Sequence, residues 1–362
     1  MNRLALIVLL LSACVAPLGG PGSASPRPST EPPAQIASAG TSRTVSFSDC
    51  DARTIPGSLP ACELVQAALD RDVFVGVLRR SSAAGFTYEA RAIDLQTGET
   101  RVLRQLEDTE LVIEDVRDAV VLLRQSEDYG GGDAHVRLLR VPWRDPARTE
   151  TLDEIDLTGL GGGDTWNPWP HARTNGRDVV WLHAGGLFGP HEIILLGANG
   201  PRQTVVTTDK PAYFDLDESG RVAVAMFSAD RATQGVHVYD GRSRQLGSRS
   251  ADEAGYVVSF ADTVGWVRGF GTARPPTEVE LIPVGGGRSR AARAESGCVV
   301  IGATAREVAT ICSSGVRLID VAGGAIRDGP RGRIALAFRG GLLWRTAADL
   351  GVSPEVWRVT LL

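Results

Sequence analysis

The sequence predicts an all-β fold, a seven-bladed β-propeller closed by an N-terminal strand, with six or eight blades as the open alternatives. Three observations point there. From residue 43 onward, short β-branched apolar runs alternate with Gly/Asp/Asn turns roughly every 8 to 12 residues, the rhythm of successive short strands. A coarser period of about 40 residues overlies that rhythm, and repeats of this length indicate propellers or solenoids. The body, about 320 residues, is also long for one conventional core, and a repeat architecture resolves this.

The first residues read differently. Met1-Asn2-Arg3 is a short basic start, Leu4 to Leu11 an unbroken apolar run, and Ser12-Ala13 two small residues before Cys14. That order is the layout of a secretory signal. The run is too short to span a bilayer, which takes roughly 20 apolar residues. The ending Leu11-Ser12-Ala13-Cys14 resembles the bacterial lipobox, which implies that residues 1–13 are a cleaved signal peptide and that Cys14 is diacylated. An ordinary signal peptide with a chance cysteine is the alternative. Two or three acyl chains hold a protein on a membrane, because each buried CH₂ contributes about 0.8 kcal/mol. Residues 14–42 then turn to Pro, Ser, Ala and Gly, as in Pro21-Gly22-Ser23-Ala24-Ser25-Pro26. Such a stretch buries too little apolar surface to offset its ordering entropy, and it reads as a disordered tether. The propeller is expected over 43–362, in a cell-envelope, extracytoplasmic setting.

Four cysteines remain, in two close pairs: Cys50 with Cys62, and Cys298 with Cys312. An even number in an exported chain favours disulfides. Metal binding is the alternative, although neither pair has the C-x-x-C spacing of a zinc site. A net charge of −5 with thinly spread basic residues argues against nucleic acid as a partner.

Within the body the repeats mark themselves. A hydrophobic triplet ending in tryptophan recurs at Val179-Val180-Trp181, Val264-Gly265-Trp266 and Leu342-Leu343-Trp344, the tryptophans lying 85 and 78 residues apart. Val222–Ala225 and Val308–Ile311 fall between them as equivalent runs. A strand followed by a tight polar turn is the second marker, as in Asp94-Leu95-Gln96-Thr97-Gly98-Glu99, His237–Arg242 and Leu318–Gly324. Four-stranded units are expected at roughly 62–107, 108–157, 165–208, 211–250, 254–294, 296–328 and 331–362. The last has three strands, and Thr44–Ser48 is expected to supply the fourth, which removes an exposed edge. Cys62 to Ala68 reads as a helical turn or two. Cys298 and Cys312 flank a turn near Ala305-Arg306 at equal distances, which places them opposite each other in an antiparallel pair.

The phrase Asp94–Glu99, and Val179-Val180-Trp181 running into His191-Glu192-Ile193-Ile194-Leu195, resemble the repeats of TolB-like β-propellers over about residues 70 to 362. The resemblance implies fold. The sequence shows no counterpart of the extra N-terminal domain of TolB, so the Tol system's role is not implied.

In a propeller the loops from the second to the third strand, and from each outer strand to the next blade, emerge on one face. Long polar stretches are expected there, at Ser126 to Ala134, Ala184 to Pro190, Ser228 to Gln234, Phe270 to Pro276 and Ala347 to Pro354, and long loops on a rigid scaffold usually carry function. The richest cluster falls on that face. Trp166, Trp169 and His171 lie between the second and third units, with Tyr129, Asp133 and His191 on neighbouring loops. Aromatic faces suit sugar rings or cations, and histidine serves as acid, base or metal ligand. The plainer reading packs the tryptophans between blades and uses the histidines to cap strands. Asp153–Asp156 reads as a solvated strand edge, and Asp215, Asp217 and Glu218 as turn residues rather than a calcium loop. No nucleophile elbow or phosphate-binding loop occurs, and no cofactor or metal is expected. The function expected is a lipid-anchored binding or scaffolding module for an envelope protein or glycan. The alternative is a carbohydrate- or peptide-active enzyme using His171, His183 or His191.

Overall fold

Short strands with apolar residues on both faces must be covered on both sides, and this chain covers them with copies of the same unit. A computed structural model describes residues 42–47, 50, 62–82, 85–130, 133–157, 171–184, 190–197, 200–208, 212–226, 235–241, 244–250, 255–268, 275–350 and 356–362. These residues form seven antiparallel four-stranded sheets. Strand β1 (Ser42–Ser46) pairs in the last of them. Blade 1 is β2 (Cys62–Asp70), β3 (Val73–Ser82), β4 (Gly85–Asp94) and β5 (Thr100–Glu107). Blade 2 is β6 (Glu110–Arg117), β7 (Val120–Gly130), β8 (Asp133–Pro142) and β9 (Glu150–Leu157). Blade 3 is β10 (Ala172–Thr174), β11 (Val179–Ala184), β12 (His191–Leu196) and β13 (Arg202–Thr208). Blade 4 is β14 (Tyr213–Leu216), β15 (Val222–Met226), β16 (Gly235–Tyr239) and β17 (Gln245–Ser250). Blade 5 is β18 (Gly255–Ser259), β19 (Thr263–Arg268), β20 (Glu278–Pro283) and β21 (Arg290–Arg293). Blade 6 is β22 (Val299–Ala303), β23 (Glu307–Cys312), β24 (Gly315–Asp320) and β25 (Ile326–Asp328). Blade 7 is β26 (Ile334–Phe338), β27 (Gly341–Arg345) and β28 (Val356–Leu361), with β1 outermost.

The blade count and the closure agree with the sequence reading. The tryptophan triplets occupy the second strand of blades 3, 5 and 7, and the runs between them the second strand of blades 4 and 6. The apolar core is divided into seven clusters, one at each junction between neighbouring blades. Leu122 and Trp181, for example, are both buried where blade 2 meets blade 3. Full burial of a side chain such as Leu122 contributes about 1.5–3 kcal/mol. Successive first strands touch one another, β2 with β6, β6 with β10, β10 with β14, β14 with β18, β22 with β26 and β26 with β2. They therefore line the axis.

Both cysteine pairs are bonded, with Cα–Cα distances of 5.1 Å for Cys50–Cys62 and 4.3 Å for Cys298–Cys312. Val299 faces Ile311 in the β22–β23 ladder, which carries Cys298 opposite Cys312. Two local readings need correction. Cys62–Ala68 is not helical but part of β2, a first strand whose spacing of apolar residues is distorted by a bulge between Leu64 and Gln66. Ser126–Ala134 is not a long loop, because β7 and β8 run on as a polar hairpin and leave only residues 131–132 between them.

Polar side chains stitch the first strands together where their edges meet. Gln66 accepts the Ile113 N–H at 2.6 Å and donates to the Ile113 carbonyl at 2.7 Å. Asp70 accepts from Asp118 N, Asp115 from Thr174 N and Asp215 from Ser259 N. Burial lifts the Asp115 carboxyl above the ordinary carboxylate range despite Arg173 and Arg117. At the tight-turn end the axis is bridged: Arg339 of blade 7 donates to the Leu216 carbonyl of blade 4 at 3.4 Å, across the ring.

Candidate functional site

The two ends of the propeller differ. First-to-second-strand connections are short, such as Arg71–Asp72, Asp118–Ala119 and Arg339–Gly340. On the opposite face the second-to-third-strand connections cover residues 185–190, 227–234, 269–277 and 346–355, and the link from blade 2 to blade 3 covers 158–171. The stretches expected to be long at Ala184–Pro190, Ser228–Gln234, Phe270–Pro276 and Ala347–Pro354 lie largely outside the described residues; the strand ends that bound them are on the face opposite the tight turns.

A polar cluster lies against the axis beneath that face, between blades 2, 3 and 4. It is built on a bulge in β6 between Ile113 and Asp115. Around that bulge Glu114 and Asp115 engage different partners. Glu114 accepts from Arg124 Nε at 2.7 Å, and both side chains are almost fully buried. Arg124 also donates to Ser126 Oγ at 2.9 Å. His171 Nδ1 lies 3.8 Å from the second Glu114 oxygen, and its side chain is 42% exposed. Its ring stacks on Tyr213 of blade 4, with centroids 6.2 Å apart and planes inclined by 28°. Arg173 donates to the Glu114 and Ala172 carbonyls. Burial pushes the Glu114 carboxyl up, but His171 and Arg124 outweigh it and hold it at about 2. Glu114 is therefore a fixed negative charge behind an accessible imidazole.

The other histidines stand apart from this cluster. His183 Nδ1 is 2.6 Å from Asp153 Oδ2, which also accepts the Trp181 indole N–H at 2.8 Å. Asp153 is thus no solvated edge; its own side chain is buried, and it reaches from the outer strand of blade 2 to Trp181 and His183 of blade 3. Burial raises its carboxyl, but His183, Trp181 and Arg202 together bring it below the ordinary range. His135 pairs with Asp156 across β8 and β9 at 2.6 Å. His191 is buried at the start of β12, opposite Ala184 and Thr208, so it is not a rim residue open to a ligand. Asp217 holds its own turn, accepting from Ser219 N, Ser219 Oγ and Arg221 N.

Of the residues singled out from sequence, His171 joins the cluster. Trp166 and Trp169 lie outside the described residues, as does Cys14. Tyr129 is the last residue but one of β7 and Asp133 begins β8, at the hairpin tip; for both, the backbone alone is described. Sequence reasoning missed Glu114, Arg124 and Tyr213. Nothing in Val112-Ile113-Glu114-Asp115-Val116 signals the bulge that sets Glu114 against Arg124. Among the described residues, one group of potential metal ligands, Glu295 with Cys298 and Cys312, comes together, and its sulfurs are bonded to each other.

No family model matches the chain, and no curated protein does. Among solved structures it is similar to a prolyl endopeptidase, with 11% identity and a TM-score of 0.50, over 78% of this chain and 46% of that one. It is similar to an oligogalacturonate lyase in complex with manganese, at 10% identity and a TM-score of 0.49, over 89% and 98% of the two chains. A third is the β-propeller domain of the Trilobed protease from Pyrococcus furiosus, at 8% identity and a TM-score of 0.48, over 79% and 90%. This chain spans less than half the length of the prolyl endopeptidase. At these identities the likeness is one of fold, and a propeller alone does not specify chemistry.

Proposed function

We propose that this chain is a membrane-anchored extracytoplasmic lipoprotein whose propeller is a binding module for an envelope protein or glycan. It works through the long-connection face at blades 2 to 4. The observation that carries this reading is the His171–Tyr213 pair, accessible beside the axis and fixed from behind by Glu114 and Arg124. A rigid, half-exposed aromatic pair with a few placed polar groups is the usual make-up of a recognition site. Trp166, Trp169, Tyr129 and Asp133 belong to the same proposal by their place in the chain. Anchoring is supported by the Leu11–Cys14 phrase and the Pro/Ser-rich segment after it. TolB-like kinship rests on the phrase Asp94–Glu99, which falls at the β4–β5 turn.

The enzyme alternative uses His171, His183 or His191 as acid or base. His171 and His183 face different carboxylates and His191 is buried, whereas an acid–base centre brings such groups within hydrogen-bonding reach of one reacting group. Binding is therefore the reading the geometry favours. The test uses the full chain expressed in a bacterial host. Mass spectrometry of the N-terminal peptide should find acylated Cys14, and Cys14→Ala should release the protein from membranes. Capture from solubilised membranes is then compared between wild type and His171→Ala/Tyr213→Ala. A partner or glycan lost only by the variant supports the site, and identical captures remove it. An unmodified Cys14 removes the anchor.

A further inference from the structure

We infer that the tight-turn face is the side the propeller turns to the membrane, its outward arginines against anionic lipid headgroups, so that the long-connection face points away; this rests on the anchor proposed for Cys14.

The first observation is where the chain enters the ring. β27 begins after the Arg339–Gly340 turn, and β28 runs back to that turn: Leu361 faces Gly341, and Leu362 N donates to the Gly340 carbonyl at 3.2 Å. β1 is antiparallel to β28, with Ser42 opposite Thr360 and Ser46 opposite Val356. The chain therefore comes to β1 from the tight-turn side and leaves it on the other. An anchor ahead of Ser42 pulls on the rim of that face.

The second is reach. About 28 residues separate Cys14 from Ser42. A flexible chain of that length has a root-mean-square span of roughly 30 Å, and strands of five or six residues run about 20 Å. With the tight turns toward the bilayer, the tether starts at the surface it has to meet. Turned over, it first has to run the depth of the ring, which takes up most of its span.

The third is the layering of charge. At three turns the carboxylate is folded inward and its arginine projects. Side-chain exposure is 71% for Arg144 against 12% for Asp94, 68% for Arg177 against 8% for Asp178, and 75% for Arg244 against 20% for Asp240. Arg71 and Arg148 are likewise more exposed than Asp118 and Asp145, and Arg288 and Arg306 are exposed as well. Against them, among the described residues of these turns, stand the exposed acids Glu99, Glu218 and Asp262. The turns as a whole are nearly neutral, but their outermost layer is richer in guanidinium than in carboxylate. Basic groups at a bilayer surface are drawn to anionic lipid within about a Debye length. A body already tethered there needs only a weak attraction to be oriented.

The experiment uses the full acylated chain in vesicles of phosphatidylcholine, with and without phosphatidylglycerol, alongside its soluble Cys14→Ala form. A fluorophore is attached through a clickable amino acid at Ala147, in the β8–β9 turn of the tight-turn face, or at Ser296, between blades 5 and 6 on the opposite face; both positions are exposed. Quenching by headgroup spin-labelled lipid should be at least about twofold stronger at Ala147, and the difference should shrink in high salt. The soluble form should bind vesicles that contain phosphatidylglycerol. Arg148→Gln/Arg288→Gln/Arg306→Gln should weaken that binding at least about fivefold, with an unchanged thermal midpoint. Equal quenching at the two positions, or stronger quenching at Ser296, overturns the orientation. Binding that is no better with phosphatidylglycerol than without it, or that the triple variant leaves intact, overturns the lipid contact. An unmodified Cys14 brings down the anchor and the orientation together, whereas an acylated chain that shows no preferred side brings down the orientation alone.

Discussion

Removal of the Asp153 carboxylate should loosen the junction of blades 2 and 3. Its Oδ2 accepts from the Trp181 indole at 2.8 Å and faces His183 Nδ1 at 2.6 Å, and Arg202 is 3.6 Å from Oδ1. Hydrogen bonds to a charged acceptor contribute about 1.5–3 kcal/mol each. Taking the lower end for both, since His183 and Arg202 are partly in solvent, Asp153→Ala should cost about 3 kcal/mol at pH 7. For a body of this size that corresponds to a fall of roughly 5 °C in Tm. Asp153→Asn keeps an acceptor for the indole and should cost about half as much. The sign with pH follows from the depressed carboxyl. The stabilisation is fully present above the unfolded pKa of about 3.9 and is lost as pH falls through the lower folded value. Urea unfolding of wild type and variant from pH 7 down to pH 3 reads both quantities. A cost under about 1 kcal/mol at pH 7, or one that does not shrink in acid, refutes the reasoning.

Three further outcomes are expected. Arg358 pairs with Asp349 through both oxygens and, with Thr346, holds that carboxyl far below the ordinary range despite burial; Asp349→Asn should therefore lower Tm near neutrality and flatten its decline below pH 4. A Cβ on Gly340 would stand 2.1 Å from the backbone N of Arg71, so Gly340→Ala should part the turns of blades 7 and 1 and cost at least about 2 kcal/mol, seen as a lower urea midpoint. Replacing Cys298 and Cys312 together by alanine should cost about 3 kcal/mol by loop entropy, and wild type in reductant should approach the variant's midpoint.

The ring was legible in the sequence because its signals are local and repeated. Asp94 accepts from the backbone of Gln96 and Thr97, and Asp320 from that of Gly323, so strand–turn phrases mark the same corner in different blades. The Trp181, Trp266 and Trp344 triplets marked the second strand for a related reason, since that strand is covered on both faces. Legibility failed where a position depends on contacts distant in sequence. Leu64, Val65, Ala67 and Ala68 follow a helical spacing only because a bulge shifts the register of β2. The polar run at Ser126–Ala134 looked like a loop because a hairpin reaching beyond the ring needs no apolar face. Asp153 looked solvated because its partners lie about 30 residues away. Glu114 gave no sign at all, since a bulge in β6 sets it against Arg124 and His171 approaches it from blade 3 only in the folded ring.

The seam has a mechanical consequence. Ser42 faces Thr360 in the β1–β28 ladder, so the strand's first residue and the chain's last residues share one end of it. A tug that separates those ends does not shear the ladder as a block; it opens it pair by pair, like a zip, at low force. The Cys50–Cys62 bond interrupts that peeling, because once β1 has come away the load passes covalently into the first strand of blade 1. The fastening strand is easily released, but the rupture is arrested before it travels round the wheel.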